Sequence, residues 1–443
     1  MCSFAFSTKI PDKDKINDIN YYLKPRGPDH TQIEEINNCF FLHNLLSITG
    51  KFAPQPYTDD DIVLIYNGEI YNYLDFGNYS SDGECIIPLY KEFGTNCVKQ
   101  LDGEFAICLV DFSKNIAIIS SDVFKTKPLF IARDGIEIGC STYRTPLQKL
   151  GFTNIETAKP NTTYIISLST GDIQTQSIYE FDLKQHKDTY EDWIDAFHVS
   201  VDKRIKNTNK NFFLGLSSGY DSGAIFNELN NSSIPFKSIS LLGGENNNIL
   251  TSRISKRKKD AECINFQRTP QLYAQSNRFI KKMTEDYRYT IHSSSSGYNE
   301  YNTMLVNDAG SNNMATVCKK AKDYNCKICL SGSGADEIIS DYGFNGRKIY
   351  QHSNFGGLFP EDLSTIFPWV SFYGSSMESY LAKDEYVGGS FGIEMRYPYL
   401  DTRVVQEFLW LTQNLKNKEY KAPIDYYFKK YDVPYEYGQK RGF

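Results

Sequence analysis

Two short loops hold side chains that could do chemistry. The segment SSGYDS at 217–222 follows the apolar run 212–216. Small residues let a backbone approach a ligand, and a helix opening there would offer free N–H groups and a positive dipole. Ser217, Ser218, Gly219 and Ser222 fit an anion site of that kind. Asp221 would repel a phosphate unless a Mg²⁺ ion bridged the two. The second loop, SGSGADE at 331–337, sets Asp336 just after Ser331, Gly332 and Gly334. Loops at the carboxyl ends of strands in one parallel sheet face the same edge. Asp221 and Asp336 could therefore share one Mg²⁺–polyphosphate. Either loop alone reads equally well as an ordinary Gly/Ser turn; the two together, in this order, read as a nucleotide site. Neither follows the GxxxxGKS/T pattern of a P-loop kinase or GTPase.

The first half offers a different chemistry. Cys2 becomes N-terminal if Met1 is removed, and a thiol beside its own α-amine is a nucleophile with a built-in base. Asn67 and Gly68, after the apolar run 62–66, can present an amide and a backbone N–H as a neutral oxyanion-binding pair. Asp82, in the polar turn SDGE at 81–84, could receive the ammonium of an amino-acid substrate. Taken singly, each turn reads as a solvated loop.

The elements that must position these groups fall into two sets. Up to residue 182 the chain reads as strand-rich. Strands are expected at 39–49, 62–66, 105–112, 116–121, 128–132 and 136–140, with turns at 113–115 and 133–135 and one amphipathic helix at 86–93. Stacked antiparallel sheets with helical cover follow. The polar stretch 181–189 reads as a linker. From 190 to 443 strands alternate with helices: strands at 212–216, 236–242 and 327–330, and helices at 223–229 and 249–263. That pattern implies a parallel sheet covered on both faces. The basic run 256–259 reads as the solvated face of the last helix, and Cys326 and Cys329 as part of a buried strand.

Composition narrows the function. The 443 residues carry 48 Lys+Arg against 54 Asp+Glu, a formal charge of −6. That balance opposes nucleic acid or an anionic membrane as main partner. Ten scattered cysteines are too few for a disulfide scaffold. With no secretory signal or apolar run of membrane-spanning length evident, a cytoplasmic, reducing location is expected.

Several segments resemble known families. Met1-Cys2, RGPD at 26–29, NGEIYN at 67–72, SDGE at 81–84 and LDGEFA at 101–106 resemble the class II, N-terminal-nucleophile glutamine amidotransferases. SSGYDS, LSGSGADE and EMRYPYLD at 394–401 resemble the synthetase domain of glutamine-hydrolysing asparagine synthetase. The resemblance implies an α+β Ntn-hydrolase sandwich over 1–182 and an α/β ATP-pyrophosphatase (PP-loop) domain over 190–443. It implies glutamine hydrolysis at Cys2, with Asn67 and Gly68 on the oxyanion and Ile48, Glu69 and Asp82 holding glutamine. Ammonia would pass to a carboxylate adenylated with ATP and Mg²⁺, giving AMP and pyrophosphate. Leu216, Ser217, Gly219, Ser222, Ser331 and Gly332 would line ATP, and Asp221 and Asp336 would hold the metal. Lys440, in a segment resembling the family's RxK loop, would face the pyrophosphate or acyl-adenylate. Aspartate is the default acceptor, and a second copy of the chain is the one protein partner left open.

Three departures bear on this. Leu45 stands where the family has an Arg that grips the glutamine carboxylate, leaving Lys51 or Arg26 to compensate. Ser333 replaces a Glu beside the acceptor, which opens other acceptors such as a sugar acid or a peptide carboxylate. The segment after Lys440 is short and would be open-ended. A nucleobase- or tRNA-modifying enzyme and a non-catalytic relic are the remaining alternatives; the charge opposes the first, and the retained Cys2, Asp221, Asp336 and Lys440 the second.

Overall fold

The computed structural model describes residues 1–206, 208, 210–232, 234–258, 261–293 and 299–440. Two antiparallel six-stranded sheets stack in the first part of the chain. One runs in the order Ile155–Thr157, Phe130–Asp134, Glu137–Ser141, Ser3–Ser7, Cys39–Leu45, His30–Ile36. The other runs Ile173–Ser177, Thr162–Ser167, Ile116–Ser121, Gly103–Asp111, Ile62–Ile70, Tyr57–Asp59. Alternation within strands decides the layers. Phe4, Phe6 and Phe41 pack on Val63, Ile65 and Val110 between the sheets. Ala5 and Leu42, one residue out of phase, join the core shared with the second part. The helix Ile86–Phe93 covers the far face of the second sheet with Ile86, Leu89 and Tyr90.

The second part holds a five-stranded, all-parallel sheet. Its order is Ala261–Gln267, Phe236–Leu242, Asn211–Gly215, Cys326–Leu330, Glu394–Arg396. The expected α+β sandwich followed by an α/β parallel sheet is therefore what the chain forms. One helix, Ser376–Ser390, is buried along almost its whole length. Gly389 lets it close on the first part, since a Cβ there would stand 2.6 Å from Arg26 Nη1.

Several expectations change, among them the strand expected at 39–49, which ends at Leu45. The strand 62–66 continues to Ile70, so Asn67, Gly68 and Glu69 lie in it rather than in a turn; Gly103–Asp111 pairs with it along its full length. The helix at 249–263 is instead Asn247–Ser255, and Ala261–Gln267 is a strand in seven-residue register with Phe236–Leu242. Apolar residues at Ile264 and Phe266 alternate with polar ones, the period of a half-covered edge strand. Of the basic run, Lys256 is an exposed partner of Asp432 at 2.6 Å, and Lys259 lies outside the described residues. The stretch 181–189 is not a free tether: His186 N and Lys187 N donate to Trp410 O at 2.8 and 2.9 Å. Finally, Glu394–Arg396 is a strand, where the sequence showed only a motif. Among the described residues no helix is long and apolar enough to cross a membrane.

Candidate active sites

Cys2 opens the central strand of the first sheet. Its Sγ accepts from Leu46 N at 3.4 Å. It lines a pocket with Leu45, Ile48, Lys51, Gly68, Glu69, Asp82 and Glu394. Most of the expected glutamine-site residues therefore meet in one place. Asp82 is fixed there by Tyr66 OH at 2.6 Å and Ile70 N at 2.9 Å. Burial lifts its pKa above the usual carboxylate range.

Asn67 is not on the pocket wall. It is fully buried beside Gly68, and neither side-chain polar atom has a partner. An orphaned buried amide costs about 1–3 kcal/mol, which a developing oxyanion could repay. Gly68 has φ +142°, and a Cβ there would meet Glu104 O at 2.0 Å, so no other residue fits. Glu69 reaches the pocket with its carboxylate already engaged, by Thr49 Oγ1 at 2.5 Å and Arg396 Nη2 at 3.0 Å.

Met1 is fully buried, and its Sδ accepts from Arg26 Nη2 at 3.1 Å. Burial pulls the Met1 amine down to about 5 and pushes the Cys2 thiol up to about 11. With Met1 attached, the Cys2 nitrogen is an amide and no base. Of the two compensators for Leu45, Arg26 is spent on Glu385 (2.8 Å), Tyr143 OH (2.9 Å) and Cys2 O (3.1 Å). Lys51 is exposed and lines the pocket.

The second site forms at the carboxyl edge of the parallel sheet. Leu216 N donates to Ile239 O at 2.9 Å and is buried beneath the loop. The helix Tyr220–Asn231 begins at Gly219, and its first-turn amides have no side-chain cap. Ser217 Oγ and Ser222 Oγ lie 2.8 Å apart. Arg253 donates to Ser217 O and Gly219 O at 2.7 and 2.8 Å, and its buried Nη2 has no partner. A Cβ at Gly332 would come within 2.8 Å of Asp221 Cβ, so the two loops touch only because that residue is glycine.

Asp221 and Asp336 converge, as expected. They do so on an ammonium that sequence reading missed: Lys421 Nζ stands 2.5 Å from Asp221 Oδ1 and 2.8 Å from Asp336 Oδ1. Lys440 Nζ binds the other oxygen of Asp336. The two lysines hold the Asp336 carboxyl well below the usual range. Two neighbouring carboxylates are part of the donor set Mg²⁺ uses when phosphates and water fill the rest of its shell, and here the Lys421 ammonium stands at the point they share. Lys421 sits in a left-handed backbone conformation, φ +51°, which no sequence pattern announces. Residues 441–443, the end of the RxK-like segment, lie outside the described residues.

Ser333 is the second departure, and the fold answers it. Asp384, from the buried helix, accepts from Ser331 Oγ at 2.6 Å and Ser333 Oγ at 2.9 Å. Burial raises its pKa. Nothing in the pattern around Asp384 had singled it out.

Residues 1–181 match the glutamine amidotransferase domain family. A Methanocaldococcus jannaschii protein, provisionally named glutamine-hydrolyzing asparagine synthetase 1, is 26% identical over 436 residues, covering 91% of this chain and 75% of that one. Rice glutamine-hydrolyzing asparagine synthetase 2 is 23% identical, covering 75% of this chain and 57% of its own length. The chain thus spans less than two thirds of the rice relative. A solved glutamine phosphoribosylpyrophosphate amidotransferase from B. subtilis aligns at 12% identity and a TM-score of 0.34, over 60% of this chain and 81% of that one.

Proposed function

We propose that this chain, an enzyme of the glutamine-hydrolysing asparagine-synthetase type with a glutamine amidotransferase domain over residues 1–181, makes an amide from a carboxylate, ATP and the side-chain nitrogen of glutamine. We place the domain boundary near residue 185. The observation that carries the reading is the Cys2 pocket, with Gly68 and Asp82 on its wall and the unpaired Asn67 amide beside it.

In the first site, Cys2 freed of Met1 attacks the glutamine amide carbon. Its own α-amine takes the thiol proton and passes it to the leaving ammonia. Asn67 Nδ2 and Gly68 N–H receive the oxyanion, and Asp82 holds the glutamine ammonium. Water then hydrolyses the thioester.

In the second site, Ser217, Gly219, Ser222 and the uncapped helix amides hold the phosphates of ATP. Leu216, Ser331 and Gly332 shape the floor, and Asp221 and Asp336 would hold Mg²⁺, which neutralises phosphate charge. Lys421 and Lys440 counter the departing pyrophosphate. Asp384 takes the proton that ammonia sheds as it attacks the activated carboxyl, filling the place left by Ser333. Keeping ammonia inside the protein keeps it unprotonated and excludes water from the activated acid.

Aspartate is the default acceptor. A carboxylate on a larger, ring-bearing acceptor is the second reading. It is favoured by the aromatic group beside Lys440: Tyr342, Tyr350, His352 and Tyr380 pack at 4.6–6.2 Å, with Lys440 over Tyr342 and the His352 Nδ1 unpartnered. The test is AMP release with glutamine or ammonia as nitrogen source, against aspartate, uronic acids and peptides. Cys2→Ala should abolish glutamine-driven turnover and spare ammonia-driven turnover. Survival of both sinks the glutaminase assignment, and brisk asparagine formation sinks the larger acceptor.

A further inference from the structure

We infer that Glu394, from the second part of the chain, positions the N-terminal amine of Cys2 and is a working member of the glutamine site; this rests on Cys2 being the nucleophile there. The strand Glu394–Arg396 belongs to the parallel sheet, beside Cys326–Leu330. Yet Glu394 lines the pocket that holds Cys2, Gly68 and Asp82. Its carboxylate is buried and gripped by Arg396 Nε at 2.7 Å, while Arg396 Nη2 reaches Glu69 Oε2 at 3.0 Å. One guanidinium is thus divided between two carboxylates. Burial pushes the Glu69 carboxyl up, whereas Glu394, against its own burial, is held below the usual carboxylate range by Arg396 and the chain's amine, so Glu394 is the ionised partner of that amine.

The electrostatics agree. Both the Met1 amine and the Cys2 thiol feel the Glu394 charge, and the Cys2 nitrogen lies between those two groups in the covalent chain. Burial drives the Met1 amine down. Glu394 is the largest influence opposing it, aided by the Cys2 thiol and resisted by Arg26 and Lys127. A base too weakly basic cannot take a thiol proton. Glu394 strengthens the Cys2 amine and stabilises the ammonium it becomes. In that step the S–H bond breaks and an N–H bond forms on the amine. Sulfur then bonds the amide carbon, and the same proton leaves with ammonia as the C–N bond breaks.

The strand also touches the other site. Arg396 O accepts from Ser331 N at 2.8 Å. Glutamine hydrolysis therefore requires the second part of the chain to be in place, because that part supplies a residue of the pocket.

The test uses the full chain with Glu394→Gln and Glu394→Asp, following glutamate release across pH and ammonia-driven AMP release at one pH. Glu394→Gln should lower glutaminase kcat by about tenfold or more and move the acidic limb of kcat/KM to lower pH, because a weaker base loses its proton sooner. KM for glutamine and ammonia-driven turnover should stay within about twofold, and Glu394→Asp should recover part of both kcat and the limb. A pH profile that merely shrinks without moving overturns the inference, as does an equal fall in ammonia-driven turnover. If Glu394→Gln does not fold, the limb in Glu394→Asp decides: a shift to lower pH supports the role and an unmoved limb overturns it. Cys2→Ala in the same assay separates the two claims, since residual hydrolysis there fails the nucleophile reading itself.

Discussion

Ser333 Oγ donates to a carboxylate oxygen of Asp384 at 2.9 Å, across 51 residues of sequence and from the second-site loop to a helix buried in the middle of the molecule. The loop has Ser333 where the resembled family has a Glu, and the fold sets the Asp384 carboxyl beside it. Asp384→Asn should therefore cut amide formation by about a hundredfold or more, the usual worth of a positioned base. Glutamine hydrolysis should stay within about twofold. Ser333→Ala should cost far less, because Ser331 still holds the carboxylate. Equal losses in the two variants would place the chemistry on the serine.

Among the described residues Lys51 is the exposed cation lining the Cys2 pocket, and Arg26 is committed to Glu385. Lys51→Ala should raise KM for glutamine by about tenfold, since a charged hydrogen bond is worth ~1.5–3 kcal/mol and exposure favours the low end. The value of kcat should hold. An unchanged KM assigns the glutamine carboxylate to some other group.

Lys421 joins Asp221 to Asp336. Lys421→Ala leaves the half-buried Asp221 without its cation and facing Asp336, which keeps only Lys440; breaking a buried ion pair typically costs about 3–5 kcal/mol, and partial exposure favours the low end. Added MgCl₂ should restore much of the lost Tm in this variant and do little to the unaltered chain without nucleotide. No recovery with Mg²⁺ argues against metal binding by this pair.

His43 is buried, its Nε2 donating to Tyr66 O at 3.1 Å, and burial pulls its pKa down to about 3. An unfolded histidine titrates near ~6.5. Between those values the unfolded chain binds the proton and the folded chain does not. The stability from neutral His43 is thus complete above about pH 6.5 and lost progressively as pH falls toward 3. Denaturant melts across that window should flatten in His43→Asn. A slope equal to that of the unaltered chain assigns the acid lability to other groups.

Much of this enzyme was legible one segment at a time. The hairpins at 113–115 and 133–135, the helix Ile86–Phe93 and the strand Phe236–Leu242 obey local rules of period and turn chemistry, so residue order suffices to find them. The loops at 217–222 and 331–337 were legible for the same reason, since small residues before a helix mean one thing wherever they occur. Where local rules misled, tertiary contact had overridden them: Asn67 and Gly68 became strand because Gly103–Asp111 pairs with them, and 261–263, expected at the end of a helix, open the edge strand Ala261–Gln267.

The residues that turn two loops and a thiol into sites follow another logic. Asp384 and Lys421 sit in ordinary-looking sequence and Glu394 opens a motif that pointed to the other site, and each meets its partners only through the fold. A lone Lys or Glu carries no spacing signal, and its charge takes meaning only from what lies within a few ångströms once water is excluded. Sequence alone determined which chemistries this chain could hold, because motifs are local. The tertiary structure decided which charges meet, because burial and distance are not.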